Sequence, residues 1–306
     1  MLSRLILLLT YPFIMVALGA DNLMQVAQPA QTGHYTDFIS PVAQDKLNEW
    51  SLVFSDDFTG TELDESKWTR CYWWDWEGCT NEGNNNLQWY QPDDVYVSDG
   101  TLKLRAQIRD AEGTNEQSYK YTSGMVTTGR GSSDLNESPR FAFQYGYAEM
   151  RAKVPAGKGL WPAFWLLPIT HESKPEIDVM EILGDTPHIT RMHYHYLDEN
   201  GRRTSPGHDW IGPNFAGDWH TYAVSWQPDA IIWYVDNIER WRYTNESTIS
   251  AEPMYLILNL AVGGNWPGAP NDDTPFPSIY EIDYVRVWQY RPTAENSNFY
   301  CNLRCL

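Results

Sequence analysis

Tyr145-Gly-Tyr-Ala-Glu-Met-Arg-Ala-Lys-Val154 alternates along its whole length. Gly146, Ala148, Met150, Ala152 and Val154 fall on one side, and Tyr147, Glu149, Arg151 and Lys153 on the other. Successive side chains of an extended chain point to opposite faces, so this period of two predicts a strand with one face in a core. The same period recurs in both directions. Upstream lie Leu52-Val-Phe54 and a hairpin in which Val95-Tyr-Val97 and Leu102-Lys-Leu-Arg-Ala106 flank the turn residues Asp99-Gly100. Downstream lie Thr221-Tyr-Ala-Val-Ser-Trp226, Ile231-Ile-Trp-Tyr-Val235 and a closing strand at Ile282-Asp-Tyr-Val-Arg-Val-Trp288. No stretch keeps a helical period; Asp64 to Trp68 offers about one turn. Many strands without helices predict an all-β sandwich or barrel running from about 50 to 291.

The composition narrows the function. The chain has 306 residues, with 22 Lys and Arg against 40 Asp and Glu, a formal net charge of −18. That balance argues against nucleic acid and anionic membranes as partners, and weakly against an anionic substrate. Trp is abundant at 15, beside 19 Tyr and 10 Phe. Flat apolar rings with one polar edge suit a surface that stacks on sugars. An aromatic-rich β core is the competing reading, and composition leaves both open.

Met1 to Ala20 has the form of an export signal: Arg4, a mainly apolar run from Leu5 to Leu18, and small residues at Ala17, Gly19 and Ala20. Cleavage after Gly19 or Ala20 is expected. An uncleaved anchor is disfavoured, because the run is shorter than the ~20 residues that span a bilayer. The mature chain is therefore expected outside the cell or in a periplasm, as a monomer. Residues 21–49 read as a flexible polar leader and 292–306 as a tail. The four Cys allow three pairings, of which the local one, Cys71 with Cys79 and Cys301 with Cys305, is simplest. Zinc fits poorly, since neither pair has ligand spacing.

The chemistry concentrates in Glu176-Ile-Asp-Val-Met-Glu181. In a regular strand Glu176 and Asp178 share a face, and Glu181 points away. A one-residue bulge near Val179-Met180 would return Glu181 to that face. Three like charges on one face are costly for a purely structural strand. Hydrolysis of a glycosidic bond with retention supplies a reason for them, because it needs two carboxyl groups about 5–5.5 Å apart. A third acid can hold a proton on the donor. A solvated acidic face and a Ca²⁺ site are the alternatives, although Ca²⁺ ligands usually come from loops.

This hexapeptide resembles the E-x-D-x-x-E signature of glycoside hydrolase family 16, and most closely that of its laminarinase-type endo-β-1,3-glucanases. Other blocks are similar in order: Ser55-Asp-Asp-Phe-Thr-Gly60, Tyr121-Thr-Ser-Gly-Met-Val-Thr-Thr128, Gly159-Leu-Trp-Pro-Ala-Phe-Trp-Leu-Leu167, Leu258-Asn-Leu-Ala-Val-Gly-Gly-Asn-Trp-Pro-Gly268 and Asp283-Tyr-Val-Arg-Val-Trp288. The resemblance implies a jelly-roll β-sandwich of two antiparallel sheets with a concave substrate cleft. It implies Glu176 as nucleophile, Glu181 as acid/base and Asp178 as the assisting carboxylate. It implies substrate contacts at Trp161, Trp165, Trp266 and Asn259, and at one histidine, His195, with His193 two residues earlier on the same face as the alternative.

The chain departs from the family pattern at Met125, where many laminarinases have Arg, at Asn86, where an acid is usual, and in the Trp-rich stretch from Cys71 to Cys79. All three are expected to border the cleft and bear on sugar preference. The resemblance also implies a structural Ca²⁺ at Asp57, Gly100 and Asp283, against a reading of both acids as ordinary loop and strand-end residues. No cofactor is expected for catalysis. The expected function is a secreted retaining endo-β-glucanase acting on β-1,3 or mixed β-1,3/1,4 glucan. A transglycosylase and a non-catalytic β-glucan-binding protein on the same fold are the alternatives. The negative charge and a cleft poor in basic residues disfavour sulfated galactans.

Overall fold

The structure, a computed structural model, describes residues 50–71, 79–170 and 172–290. The export signal, the leader, the Cys301–Cys305 pair and Trp73, Trp74 and Trp76 lie outside the described residues. Seventeen strands are formed among the described residues. They are β1 (Trp50–Asp56), β2 (Gln88–Tyr90), β3 (Val95–Ser98), β4 (Thr101–Glu112), β5 (Ser118–Ser123), β6 (Met125–Thr127), β7 (Gly146–Lys153), β8 (Leu160–Pro168) and β9 (Glu176–Glu181), then β10 (Ile189–Leu197), β11 (Arg203–Thr204), β12 (Gly207–Ile211), β13 (His220–Trp226), β14 (Ile231–Val235), β15 (Ile238–Tyr243), β16 (Met254–Val262) and β17 (Ser278–Tyr290). Each alternating run of the sequence lies on one of them. The turn between β3 and β4 has Asp99 at φ 54° and Gly100 at φ 75°, the left-handed pair that a two-residue hairpin requires. Asp64 to Trp68 makes one hydrogen-bonded turn, with the Lys67 and Trp68 N–H groups both donating to the Asp64 carbonyl at 3.0 Å.

The strands form two sheets. The ten-stranded sheet runs β15-β14-β13-β7-β17-β4-β5-β2, with β1 on β17 and β3 on β4; the seven-stranded sheet runs β11-β10-β9-β8-β16-β6, with β12 on β10. One expectation is corrected here: β2 pairs parallel with β5, so the larger sheet is mixed. The direction of β2 is set by a tether at its start. The Leu87 N–H donates to the Val262 carbonyl at 2.8 Å, and the Gln88 side-chain oxygen accepts from the Val262 N–H at 2.7 Å.

The core fills the space between the sheets. Leu102, Leu104, Ala148, Met150, Ala152, Val224, Trp233, Ile282 and Val287 come from the larger sheet. Leu160, Phe164, Leu166, Ile177, Met192, Tyr194, Leu256, Leu258 and Leu260 come from the smaller one. With the even residues of β8 and β16 committed to the core, their odd residues must emerge on the far face of the smaller sheet. The site lies on that face.

Candidate active site

Four adjacent strands of the smaller sheet present polar side chains to one cavity. β8 contributes Trp161 and Trp165, β9 contributes Glu176, Asp178 and Glu181, β10 contributes His193 and His195, and β16 contributes Asn259. The bulge in β9 makes this possible. Asp178 lies opposite His193 and Glu181 opposite Arg191, so β9 has two residues where β10 has one. Against β8, Asp178 faces Trp165 while Met180 faces Phe164, which leaves Val179 as the extra residue. Val179 and Met180 are 1% and 0% exposed, so the core takes both side chains and all three acids emerge together. A bulge frees backbone groups from the ladder. Here the Asp178 carbonyl accepts a 2.8 Å hydrogen bond from Trp233 Nε1. That tryptophan reaches across the core from β14 and stacks on Trp241 with ring centres 4.3 Å apart.

The environments of the two glutamates differ. Lys174 Nζ donates to Glu176 Oε2 and to the Ser173 carbonyl. Burial raises the Glu176 carboxyl above its usual range, and the charge of Asp178 adds to this, while Lys174 and His195 oppose it. Among the described residues, no ammonium stands beside Glu181. Burial first, then the charge of Glu176, push its carboxyl up to about 8, against partial relief from Trp161, Arg191 and Arg203. Asp178, 2% exposed, is also held well above the carboxylate range by burial and by Glu181. The two outer carboxyls therefore separate: one is braced by a cation, and the other keeps its proton near neutrality.

The two histidines stand beside the acids. His195 Nε2 lies 2.9 Å from Asp178 Oδ2, and its Nδ1 is 2.6 Å from Ser205 Oγ. Burial lowers its pKa to about 4, with Arg203, Lys174 and His193 acting in the same direction and Glu176 opposing. His193 Nδ1 lies 3.4 Å from Glu181 Oε2. The sequence favoured His195 over His193; the structure sets both in the cavity, each against a different acid.

Two loops wall the cavity. Asn86 Nδ2 donates to the Gly263 carbonyl at 3.0 Å, and Asn85 Nδ2 donates to Asn265 Oδ1 at 2.9 Å. The contact requires glycine. A Cβ on Gly264, at φ 117°, would lie 2.8 Å from both the Asn84 carbonyl oxygen and Asn86 Nδ2. The pair carries Trp266 to the rim, where it is 42% exposed and meets Trp161 edge-on at 5.2 Å. Trp165 is held differently. Its Nε1 donates to Asn259 Oδ1 at 2.7 Å, and the ring packs on a small cluster of Tyr90, Met125, Leu167 and Ile257.

Glu176, Asp178, Glu181, Trp161, Trp165, His195, Asn259, Trp266 and Asn86 thus all border one cavity of about 540 Å³. Other expectations are corrected. Met125 does not border it; at 0% exposure it fills the cluster beneath Trp165. The cleft is not poor in basic residues, because Lys174 and Arg203 line it. Lys174 could have been found by extending the alternation two residues back from Glu176. Arg203 and Trp233 carry no local signal, since pairing and packing across long sequence separations bring them in. Cys71 and Cys79 are disulfide-bonded, with Cα atoms 5.1 Å apart.

The residues implied for Ca²⁺ lie away from the cavity. Asp57, Gly100 and Asp283 fall near the point where β17 exchanges β4 for β1 as its neighbour. Asp57 Oδ1 accepts from Arg286 at 2.8 Å, and Asp283 Oδ2 accepts from Arg151 at 2.6 Å. Each carboxylate has an arginine as its counter-charge.

Comparison with known proteins agrees with this geometry. The family model for glycosyl hydrolases family 16 matches residues 82–286. Glucan endo-1,3-beta-glucosidase A1 of Niallia circulans is 35% identical over 271 residues, covering 78% of this chain and 38% of that protein. Endo-1,3-1,4-beta-glycanase EglC of Rhizobium meliloti is 36% identical over 294 residues, covering 88% of this chain and 60% of that protein. The chain thus spans less than two thirds of either relative. The crystal structure of LamA from Z. galactanivorans in complex with laminaritriose and laminaritetraose superposes with a TM-score of 0.66 at 31% identity, covering 78% of this chain and 99% of that one.

Proposed function

The chain belongs to glycosyl hydrolases family 16, and on that premise we propose that it is an exported, retaining endo-β-glucanase acting on β-1,3 or mixed β-1,3/1,4 linkages. The observation that carries the proposal is the separation of Glu176 from Glu181 on one strand face. Glu181, protonated up to about pH 8, donates to the leaving glycosidic oxygen. Glu176, paired with the Lys174 ammonium, attacks the anomeric carbon as its carboxylate and forms a glycosyl ester. Water then enters, Glu181 takes its proton, and the ester is cleaved. Asp178, buried between the glutamates with His195 Nε2 2.9 Å from its Oδ2, is the assisting carboxyl. Trp161 and Trp266 offer faces for glucosyl rings. The β-1,3 assignment draws on the printed names of the relatives and on the laminari-oligosaccharides in the LamA complex.

The test is hydrolysis of a panel of purified glucans, with linkage analysis of products and NMR of the fresh reducing end. A β anomer appearing first on a β-1,3-containing glucan is expected. An α anomer appearing first would overturn the role of Glu176. Products longer than the substrate would indicate glycosyl transfer to sugar instead of water. Glu176→Gln should abolish hydrolysis, because an amide forms no ester; more than a few per cent of residual activity counts against the assignment.

A further inference from the structure

Retaining hydrolysis needs carboxyl groups, yet two imidazoles also face Asp178. β10 presents His193 and His195 two residues apart on the cavity face, with rings stacked at 5.4 Å and planes 15° apart. His193 lies directly opposite Asp178 in the ladder. One nitrogen from each histidine and one Asp178 oxygen lie within 4.8 Å of one another. Two atoms here are shut from solvent, Asp178 Oδ2 and His193 Nδ1; the first meets His195 Nε2 at 2.9 Å, and the second meets Glu181 Oε2 at 3.4 Å, a contact too long to be a good hydrogen bond. Leaving a buried polar atom unsatisfied costs about 1–3 kcal/mol. A proton can relieve one such lone pair, whereas a cation with several open coordination positions can relieve all of them.

We propose that Asp178, His193 and His195 form a binding site for a divalent first-row transition-metal ion of the zinc class, and that this ion and the glycan exclude each other. The donor set selects the class. Two imidazoles and one carboxylate suit Zn²⁺ and its neighbours, whereas Ca²⁺ and Mg²⁺ take oxygen ligands. Zinc bonds of about 2.0–2.2 Å put adjacent ligand atoms on a tetrahedral ion roughly 3.4 Å apart. The 2.9 Å separation of His195 Nε2 from Asp178 Oδ2 is already near that value, and side-chain rotation brings His193 in. The Ser205 hydroxyl, 2.6 Å from His195 Nδ1, can accept the Nδ1 proton and leave the Nε2 lone pair facing the ion. Glu181 Oε2, 3.4 Å from His193 Nδ1, is available as a fourth ligand. Lys174 and Arg203 also border the cavity and oppose the ion, against three carboxylates that favour it. An ion held there occupies the space between Glu176 and Glu181 that the reacting sugar needs. Mutual exclusion rests on the hydrolase reading, whereas ion binding does not.

The test is titration of the chelator-treated protein with ZnCl₂ against a chromophoric chelator, with a parallel Co²⁺ titration read in the visible. Saturable binding of one equivalent is expected, with the intense d–d bands of a four- or five-coordinate site. His193→Ala should weaken zinc at least roughly tenfold, since losing even an outer-shell partner costs 10–100-fold. The near-isosteric Asp178→Asn should do the same, and it serves if the alanine variant fails to fold. Replacing the exposed His208 of β12 should change nothing. Zinc should raise the KM for glucan and leave kcat at saturating glucan unchanged. Absence of saturable binding, equal affinity in both site variants, or inhibition that glucan cannot displace overturns the proposal. If the chelated protein hydrolyses glucan without binding zinc, only the ion site fails. If it binds zinc but cleaves no glucan, only the hydrolase reading fails.

Discussion

Glu181→Gln should make the protein more stable as the pH rises while removing its activity. The substitution keeps the shape of the side chain and deletes its charge. In the folded state the Glu181 carboxyl is raised from 4.5 to about 8, so the folded protein holds this proton more tightly than the unfolded chain. The stability that the group contributes is complete below about pH 4.5 and is lost as the pH climbs through 8. At about 1.36 kcal/mol for each pH unit, the ceiling on that loss is roughly 5 kcal/mol. Asp178 and Glu176 share the repulsion, so the expected loss is on the order of 2–4 kcal/mol. In a domain of this size 1 kcal/mol moves Tm by about 2–4 °C. The Tm advantage of the variant should therefore grow from near zero at pH 4 to about 5–15 °C at pH 9. Calorimetric scans of both proteins at each pH read the difference directly, and ionisations common to both cancel. Hydrolysis should fall by about 10²–10⁴-fold. Melting temperatures that stay parallel from pH 4 to 9 would refute the claim that Glu181 is held neutral by burial.

Four further outcomes follow from the same geometry. The kcat of the unmodified enzyme should decline along an alkaline limb near pH 8, where Glu181 loses its proton; a limb below pH 6 would assign the acid to another group. Trp266→Ala should weaken binding of long oligosaccharides by roughly fivefold, about 1 kcal/mol of stacking, with Tm nearly unchanged because the ring is exposed. Trp165→Ala should lose both affinity and stability, since that ring is bonded to Asn259 and packed on a core cluster; isothermal titration beside thermal melts separates the two. Trp233→Phe preserves the stack on Trp241 but orphans the Asp178 carbonyl, at a cost of about 1–3 kcal/mol. It should lower kcat with little change in KM. An unchanged kcat would mean that the bulge holds its shape without the cross-core bond.

The strands were legible because alternation is a local record of burial. Gly146 to Val154 states which side faces the core, and no distant residue is needed to read it. The bulge was legible for the same reason: Glu176, Asp178 and Glu181 can share a face only if one residue between them is extra. Of the partners of those acids, only Lys174 lay within reach of the alternation. Lys174 braces Glu176 from the loop that enters β9, Arg203 comes from a two-residue edge strand, and Trp233 reaches Asp178 from the opposite sheet, 55 residues along the chain. Met125 reads as a cleft position by motif and lies opposite Asn259 in the ladder, yet Tyr90, Leu167 and Trp165 pack around it and bury it. Asp57 and Asp283 read as ion ligands by motif, and the fold sets Arg286 and Arg151 beside them. The parallel pairing of β2 with β5 depends on a tether to Val262, far along the chain. Alternation says which way a side chain points, but register, sheet order and loop closure decide what it meets. The acidity of Glu181 depends on that second kind of information, because water is excluded from it by residues that only folding brings near.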